Sequence, residues 1–251
     1  MMDKFTFIGC SFTVGVGLPL EKDDRNNYTN IVSKKYNAIA NNIAVSGNSN
    51  YNIFMGAINE LLGKNPDKLF VQWSALNRLW LCPGPDTTLS LSHTINNDYA
   101  YRDISYKKAE LQKFTDMYHL LNHDYNNILT LINYCNILTE LSFNKTEIIF
   151  INGLVNWTSE ITTLDTLQDM AVYLSPYTKG LLEFESRSDD ELIEFFSKLH
   201  NAINLLDKTA WVNMFNSMMK TKLDKGTDHI HPGPTSHVAY AEMIIKYLES
   251  N

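Results

Sequence analysis

A serine that follows a short apolar run, and an aspartate and a histidine three residues apart near the far end of the chain, are the groups a hydroxyl nucleophile needs. The run is Phe5-Thr6-Phe7-Ile8, the serine is Ser11 in Gly9-Cys10-Ser11, and the pair is Asp228 and His231 in Asp228-His229-Ile230-His231-Pro232. A serine hydroxyl is a weak nucleophile at neutral pH. It needs a base within hydrogen-bond reach, and the base needs a third group to fix its tautomer. In a turn leading into a helix, residues three apart lie on one side, so Asp228 can accept from one ring nitrogen of His231 while the other faces the serine. The charge that develops on an attacked carbonyl needs preorganised N–H donors. Gly47, in Ala44-Val45-Ser46-Gly47-Asn48-Ser49-Asn50, is a candidate because a glycine lets its amide come close to a ligand.

Other chemistries compete for the same residues. Cys10 carries a thiol, intrinsically a stronger nucleophile than a hydroxyl. Its alternative is a small buried apolar side chain beside Ser11. His229 and His237 flank His231, but only His231 combines the three-residue offset from Asp228 with a following proline. A metal site on Asp228, His229 and His231 is the remaining alternative. No second ligand cluster with metal-like spacing accompanies it, so neither a metal nor another cofactor is expected.

Together these segments resemble the SGNH (GDSL-like) hydrolases, a family of esterases, lipases and acyl transferases. The family's blocks are a Gly-Asp-Ser nucleophile segment, an oxyanion glycine, an oxyanion asparagine and a late Asp-x-x-His. Here the first block reads Gly9-Cys10-Ser11-Phe12-Thr13-Val14-Gly15, the second centres on Gly47, and the last runs from Asp228 to His231. The resemblance implies Ser11 as nucleophile, His231 as base, Asp228 as its orienting partner, and the amides of Ser11 and Gly47 as oxyanion donors. Two departures stand out. Cys10 replaces the aspartate of the first block, and the third block reads Ser74-Ala75-Leu76-Asn77-Arg78 where the family places Gly-x-Asn-Asp. Asn77 is the choice for the side-chain oxyanion donor, with Asn48 and Asn50 as competitors. Asn48, Trp73 and Arg78 are candidate substrate contacts, core packing being the default for Trp73.

Composition bounds the partners. The chain has 251 residues, 44% of them apolar, enough to bury a full core as a single α/β domain. Its formal charge of -7, with no stripe of Lys and Arg, argues against a nucleic-acid partner. Cys10, Cys82 and Cys135 are too few and too scattered for a disulfide framework. The apolar stretch after Lys4 is broken by Gly, Ser and Thr and holds the nucleophile segment, which argues against a cleaved signal peptide. No run approaches the ~18 apolar residues of a membrane span. A cytoplasmic location is therefore the expectation.

The elements that would position these residues read as a three-layer α/β/α, flavodoxin-like arrangement with a parallel sheet of about five strands. Short apolar runs at 5–8, 38–45, 69–73 and 148–152 are buried-strand candidates, each followed by small or polar residues. Helical periods fall at 51–62, 107–143, 189–206 and 236–248, the last with Val238, Ala241, Ile245 and Leu248 on one stripe. Ligands in such sheets bind beyond the carboxyl ends of the strands, where Ser11, Gly47 and Asn77 all fall. Residues 82–105 show no sustained period and include Pro83-Gly84-Pro85; with the helical stretch through 143 they are expected to form a substrate-selecting lid or cap. The expected function is hydrolysis of a carboxylic ester, such as an O-acyl or O-acetyl group on a carbohydrate or a small lipid-like molecule, through an acyl-serine. The alternative is a non-catalytic binding or structural module, suggested by Cys10 and the irregular third block.

Overall fold

The structure, a computed structural model, describes residues 2–19, 26–75, 79–84, 87–91, 124–142, 145–152, 211–213 and 223–250. They fall in two compact units, Met1–Val155 with Val212–Asn251, and Asn156–Trp211; of the second only Trp211 is described.

In the first unit the apolar runs at 5–8, 69–73 and 148–152 pair as expected, whereas of the run at 38–45, read as a buried strand, only Ile39–Asn42 forms a strand, and at the sheet edge it is exposed or half-buried. Strand β1 (Lys4–Ile8) lies parallel between β2 (Ile39–Asn42) and β3 (Lys68–Trp73), and β6 (Glu147–Asn152) lies parallel to β3. With β7 (Trp211–Asn213) the described residues form a sheet of five strands in the order β2-β1-β3-β6-β7. The inner strands are continuous apolar runs because helices cover both faces and alternation would put polar groups in a core. Register divides those faces. Phe7 pairs with Phe70 and Phe70 with Ile149, so the three share a side, and the Phe7 and Phe70 rings stack at 4.4 Å. That side is covered by α2 (Tyr28–Lys35), whose Tyr28 and Val32 are buried, and by the C-terminal helix α5 (Pro234–Ser250). On the opposite side Trp73 stacks on Phe150, and Tyr134 of α4 (Asp124–Leu141) stacks on Phe54 of α3 (Asn50–Gly63). The result is the expected three-layer α/β/α architecture.

Several elements differ from the sequence reading. The helix α2 was not anticipated, because Thr29, Ile31 and Val32 are poor helix formers. Burial of Tyr28 and Val32 and the Asn27 side-chain cap on the Thr29 amide (3.2 Å) outweigh that propensity. Residues 82–105, read as irregular, begin instead in an antiparallel ribbon of β4 (Leu79–Gly84) and β5 (Thr87–Leu91). The register shifts between Leu81 and Gly84, the irregularity that lets Pro83, which lacks an N–H, sit within a strand. The buried stripe of α5 runs through His237, Tyr240, Ala241 and Ile244, while Val238 is 40% exposed. Counting aliphatic residues alone misplaced it, since the aromatic rings of His237 and Tyr240 occupy the core positions. Residues 107–123 and the helical period at 189–206 lie outside the described residues. Among the described residues no helix is long and apolar enough to cross a membrane.

Candidate active site

The first strand ends at Ile8 and the chain turns sharply into a single helical turn, α1 (Ser11–Val14), so Ser11 is its first residue. Gly9 is required at that corner: a Cβ there would stand 2.3 Å from Thr13 Oγ1 and 3.0 Å from Gln72 Cβ. Cys10 occupies the N-cap in an extended conformation without a side-chain cap, and its thiol is fully buried. Ser11 is 4% exposed, and its amide is among the first-turn N–H groups that have no partner within a helix.

The turn closing α1 receives the late segment. Gly15 and Gly17 both have left-handed φ, 84° and 91°. A Cβ on Gly17 would come within 3.0 Å of Asp228 Oδ1 and 3.1 Å of His231 Cβ. The Thr227 amide donates to the Gly17 carbonyl at 2.8 Å, and the rings of Phe12 and His231 meet edge to face at 5.8 Å. Residues 225–232 are folded back by the Gly226 amide donating to the His231 carbonyl (2.8 Å), with His229 at the turn in a left-handed conformation, φ 59°.

Within that turn Asp228 and His231 form a pair. Asp228 Oδ2 lies 2.5 Å from His231 Nδ1, while Oδ1 accepts from the amides of Ile230 and His231 at 3.0 Å each. Partial burial raises the Asp228 pKa, but the His231 ring and the two amides favour the charged form more, and the net result is a value of about 2. Both carboxylate oxygens are thus engaged. His229 is exposed, and among the described residues no three His, Cys, Asp or Glu side chains are grouped to hold a metal ion.

The second block converges on the same corner. Val45 donates its amide, and Asn48 its Nδ2, to the carbonyl of Gly9 at 3.3 and 3.2 Å. Between them Gly47 is exposed with φ 78°, and nothing lies within 4 Å of where its Cβ would be. Asn50 Nδ2 donates to the carbonyls of Ser74 and Ala75 while its Oδ1 accepts from the Ser74 amide at 2.7 Å. The amides of Asn48 and Asn50, competitors for the oxyanion role, therefore tie the loops together. Parallel strands bring Ser11, Gly47 and the residues after β3 to one sheet end, and the loop before α5 joins them there.

No family model and no curated protein matches the chain. Among solved structures, an acetyl xylan esterase from the rumen bacterium Butyrivibrio proteoclasticus is 16% identical with a TM-score of 0.49; the match takes in 99% of this chain and 64% of that one. A protein named TesA is 13% identical with a TM-score of 0.48 over 99% of both chains. A member of the lipolytic G-D-S-L family from Veillonella parvula is 11% identical with a TM-score of 0.47, over 97% of this chain and 96% of its own.

Asn77 and Arg78 lie outside the described residues. Trp73 is fully buried, stacked on Phe150 and tilted against Tyr134, so it packs in the core where substrate does not reach it. Three residues that bear on the site escaped sequence reasoning. Gly17 lets the late loop seat, and Gln72 and Thr13 pack beneath the Ser11 corner. Gln72 left a signal: it is the lone polar side chain within the apolar run 69–73, a position that needs a buried partner.

Proposed function

We propose that the chain is a serine hydrolase cleaving a carboxylic ester, an O-acyl or O-acetyl group on a carbohydrate or a small lipid-like molecule. The observation that carries this reading is the Asp228–His231 pair, 2.5 Å apart, docked through Thr227 and Gly17 onto the turn that Ser11 opens.

In this reading Ser11 Oγ attacks the ester carbonyl carbon as His231 Nε2 takes its proton, and His231 Nδ1–H donates to Asp228. A carboxylate held near pKa 2 stays charged at neutral pH and stabilises the imidazolium. The amides of Ser11 and Gly47 donate to the oxyanion, with Asn77 as the third donor. Collapse breaks the bond to the alcohol, which leaves with the proton returned by His231, and water repeats the sequence on the acyl-serine. The ribbon of β4 and β5, which follows β3 in the chain, forms the first part of the lid at 82–143, and Arg78 and Asn48 flank the substrate.

A fluorophosphonate probe tests the assignment. It should label the wild type and Cys10→Ala and spare Ser11→Ala. Labelling that disappears with Cys10 would move the nucleophile to the thiol; a wild type that takes up no probe and cleaves no p-nitrophenyl or acetyl-sugar ester would favour the binding-module reading.

A further inference from the structure

Beneath the corner that carries Ser11 runs a chain of hydrogen bonds with a single direction. Tyr28 Oη donates to Thr13 Oγ1 at 2.9 Å, Thr13 Oγ1 donates to Gln72 Oε1, and Gln72 Nε2 donates to Cys10 Sγ at 3.5 Å. Tyr28, Thr13, Gln72 and Cys10 are all fully buried. Burial holds the Tyr28 phenol well above its ordinary pKa, so it remains a donor. The two links to Gln72 bracket the nucleophile position, one residue before Ser11 and two after it.

We propose, on the reading of Ser11 as nucleophile, that Gln72 is a positioning residue: its amide holds Cys10 and Thr13 together and so sets the direction of the Ser11 amide and hydroxyl. Three observations support the assignment. The N-cap residue of α1 has no side-chain cap of its own, so the start of this one-turn helix is oriented from outside. Gly9 has no space for a Cβ between Thr13 and Gln72, so the loop is pressed directly onto the Thr13 side chain and the base of the Gln72 side chain. Gln72 also sits in β3, where its neighbours are paired to β6, which gives the anchor a rigid base. A side chain that merely filled the core here would be apolar, because an amide without partners costs about 1–3 kcal/mol when buried.

Gln72→Met keeps the volume and removes both hydrogen bonds; Thr13→Val removes the hydroxyl at nearly constant shape, and Thr13→Ser keeps it. Displacement of the nucleophile by a fraction of an ångström should lower kcat on p-nitrophenyl acetate and the rate of fluorophosphonate labelling together, by about tenfold. KM should change by less than about twofold, the signature of a group acting on the transition state alone. Thr13→Ser should recover most of the lost rate. Variants that fold with a lowered Tm but wild-type kcat and labelling rate would overturn the positioning role and leave the nucleophile assignment standing. Should Gln72→Met fail to fold, Tyr28→Phe decides: a drop in kcat at constant KM supports the role, and an unchanged kcat overturns it. A wild type inert to both probe and ester refutes the nucleophile reading itself, and the positioning role with it.

Discussion

The two ends of the candidate site are built by opposite means. Around Ser11 the contacts are buried or half-buried and distant in sequence: Thr13 reaches Gln72 across 59 positions, and Asn42 Nδ2 reaches the Thr13 carbonyl across 29. Around His231 they are local and open to solvent: Asp228 meets the ring three positions on and the amides two and three positions on. A serine on a one-turn helix has too few bonds of its own to hold a direction, so the surrounding core supplies it. A carboxylate and an imidazole on one tight turn are oriented by that turn, and the tertiary structure has only to dock it. Damage to the first region should therefore spread through packing, and damage to the second should stay confined to the chemistry.

The largest effect expected is that of removing either partner. Ser11→Ala and His231→Ala should each lower kcat by about 10⁶-fold, since such groups act as a unit, with thermal stability nearly unchanged for His231→Ala on its exposed turn. Asn77→Ala should lower kcat by about 10²–10³ with little change in KM if its amide meets the oxyanion. No effect there would remove it from the reading.

The docking itself is tested at Gly17. Gly17→Ala imposes a side chain at φ 91° and brings a Cβ within 3.0 Å of Asp228 Oδ1, so the pair should shift relative to Ser11 and kcat should fall by about 10–10². Unchanged kinetics with a lower Tm would mean that the late loop adjusts independently of α1.

Stability should report the buried side more than the open one. Burial lowers the His237 pKa to about 4, against a partial opposing effect of the Asp224 carboxylate, and its Nδ1 accepts from the Tyr28 amide at 3.4 Å. The unfolded chain then binds a proton that the folded chain refuses between about pH 6.5 and 4, so stability falls as pH drops through that window, by about 3 kcal/mol at most. Thermal melts from pH 7 to 4 should show a steeper loss for the wild type than for His237→Gln. Asn27, which caps α2 and donates to the carbonyls of Thr13 and Val14 at 3.0 Å each, should cost about 1–2 kcal/mol as Asn27→Ala. The smallest effect should be at the tip of the late turn: His229→Gly relieves a left-handed residue while loosening the unfolded chain, for a net change within about 0.5 kcal/mol and no loss of activity.

Much of this architecture was legible in the chain. The inner strands at 5–8, 69–73 and 148–152 read as buried because a parallel strand covered on both faces must be apolar throughout. The segments of Ser11, Gly47 and the Asp228–His231 pair could be placed because each is carried by a short local pattern. The ribbon at 79–91 could not, since Pro83 reads as a breaker until a register shift accommodates it. The face of α5 was also hidden, because His237 and Tyr240 look like surface residues until aromatic neighbours such as Tyr28, at 5.8 Å from the His237 ring, are brought to them.

Residue type and spacing by themselves determined the inner strands, the sheet end where the loops gather, and the turn in which Asp228 faces His231, because each depends on neighbours a few positions away. Only the tertiary structure decided that Gly17 seats that turn, that Trp73 belongs to the core, and that Gln72 and Thr13 hold the corner beneath Ser11. Those contacts join segments tens of residues apart, and a buried polar side chain has no role until the chain has folded around its partner.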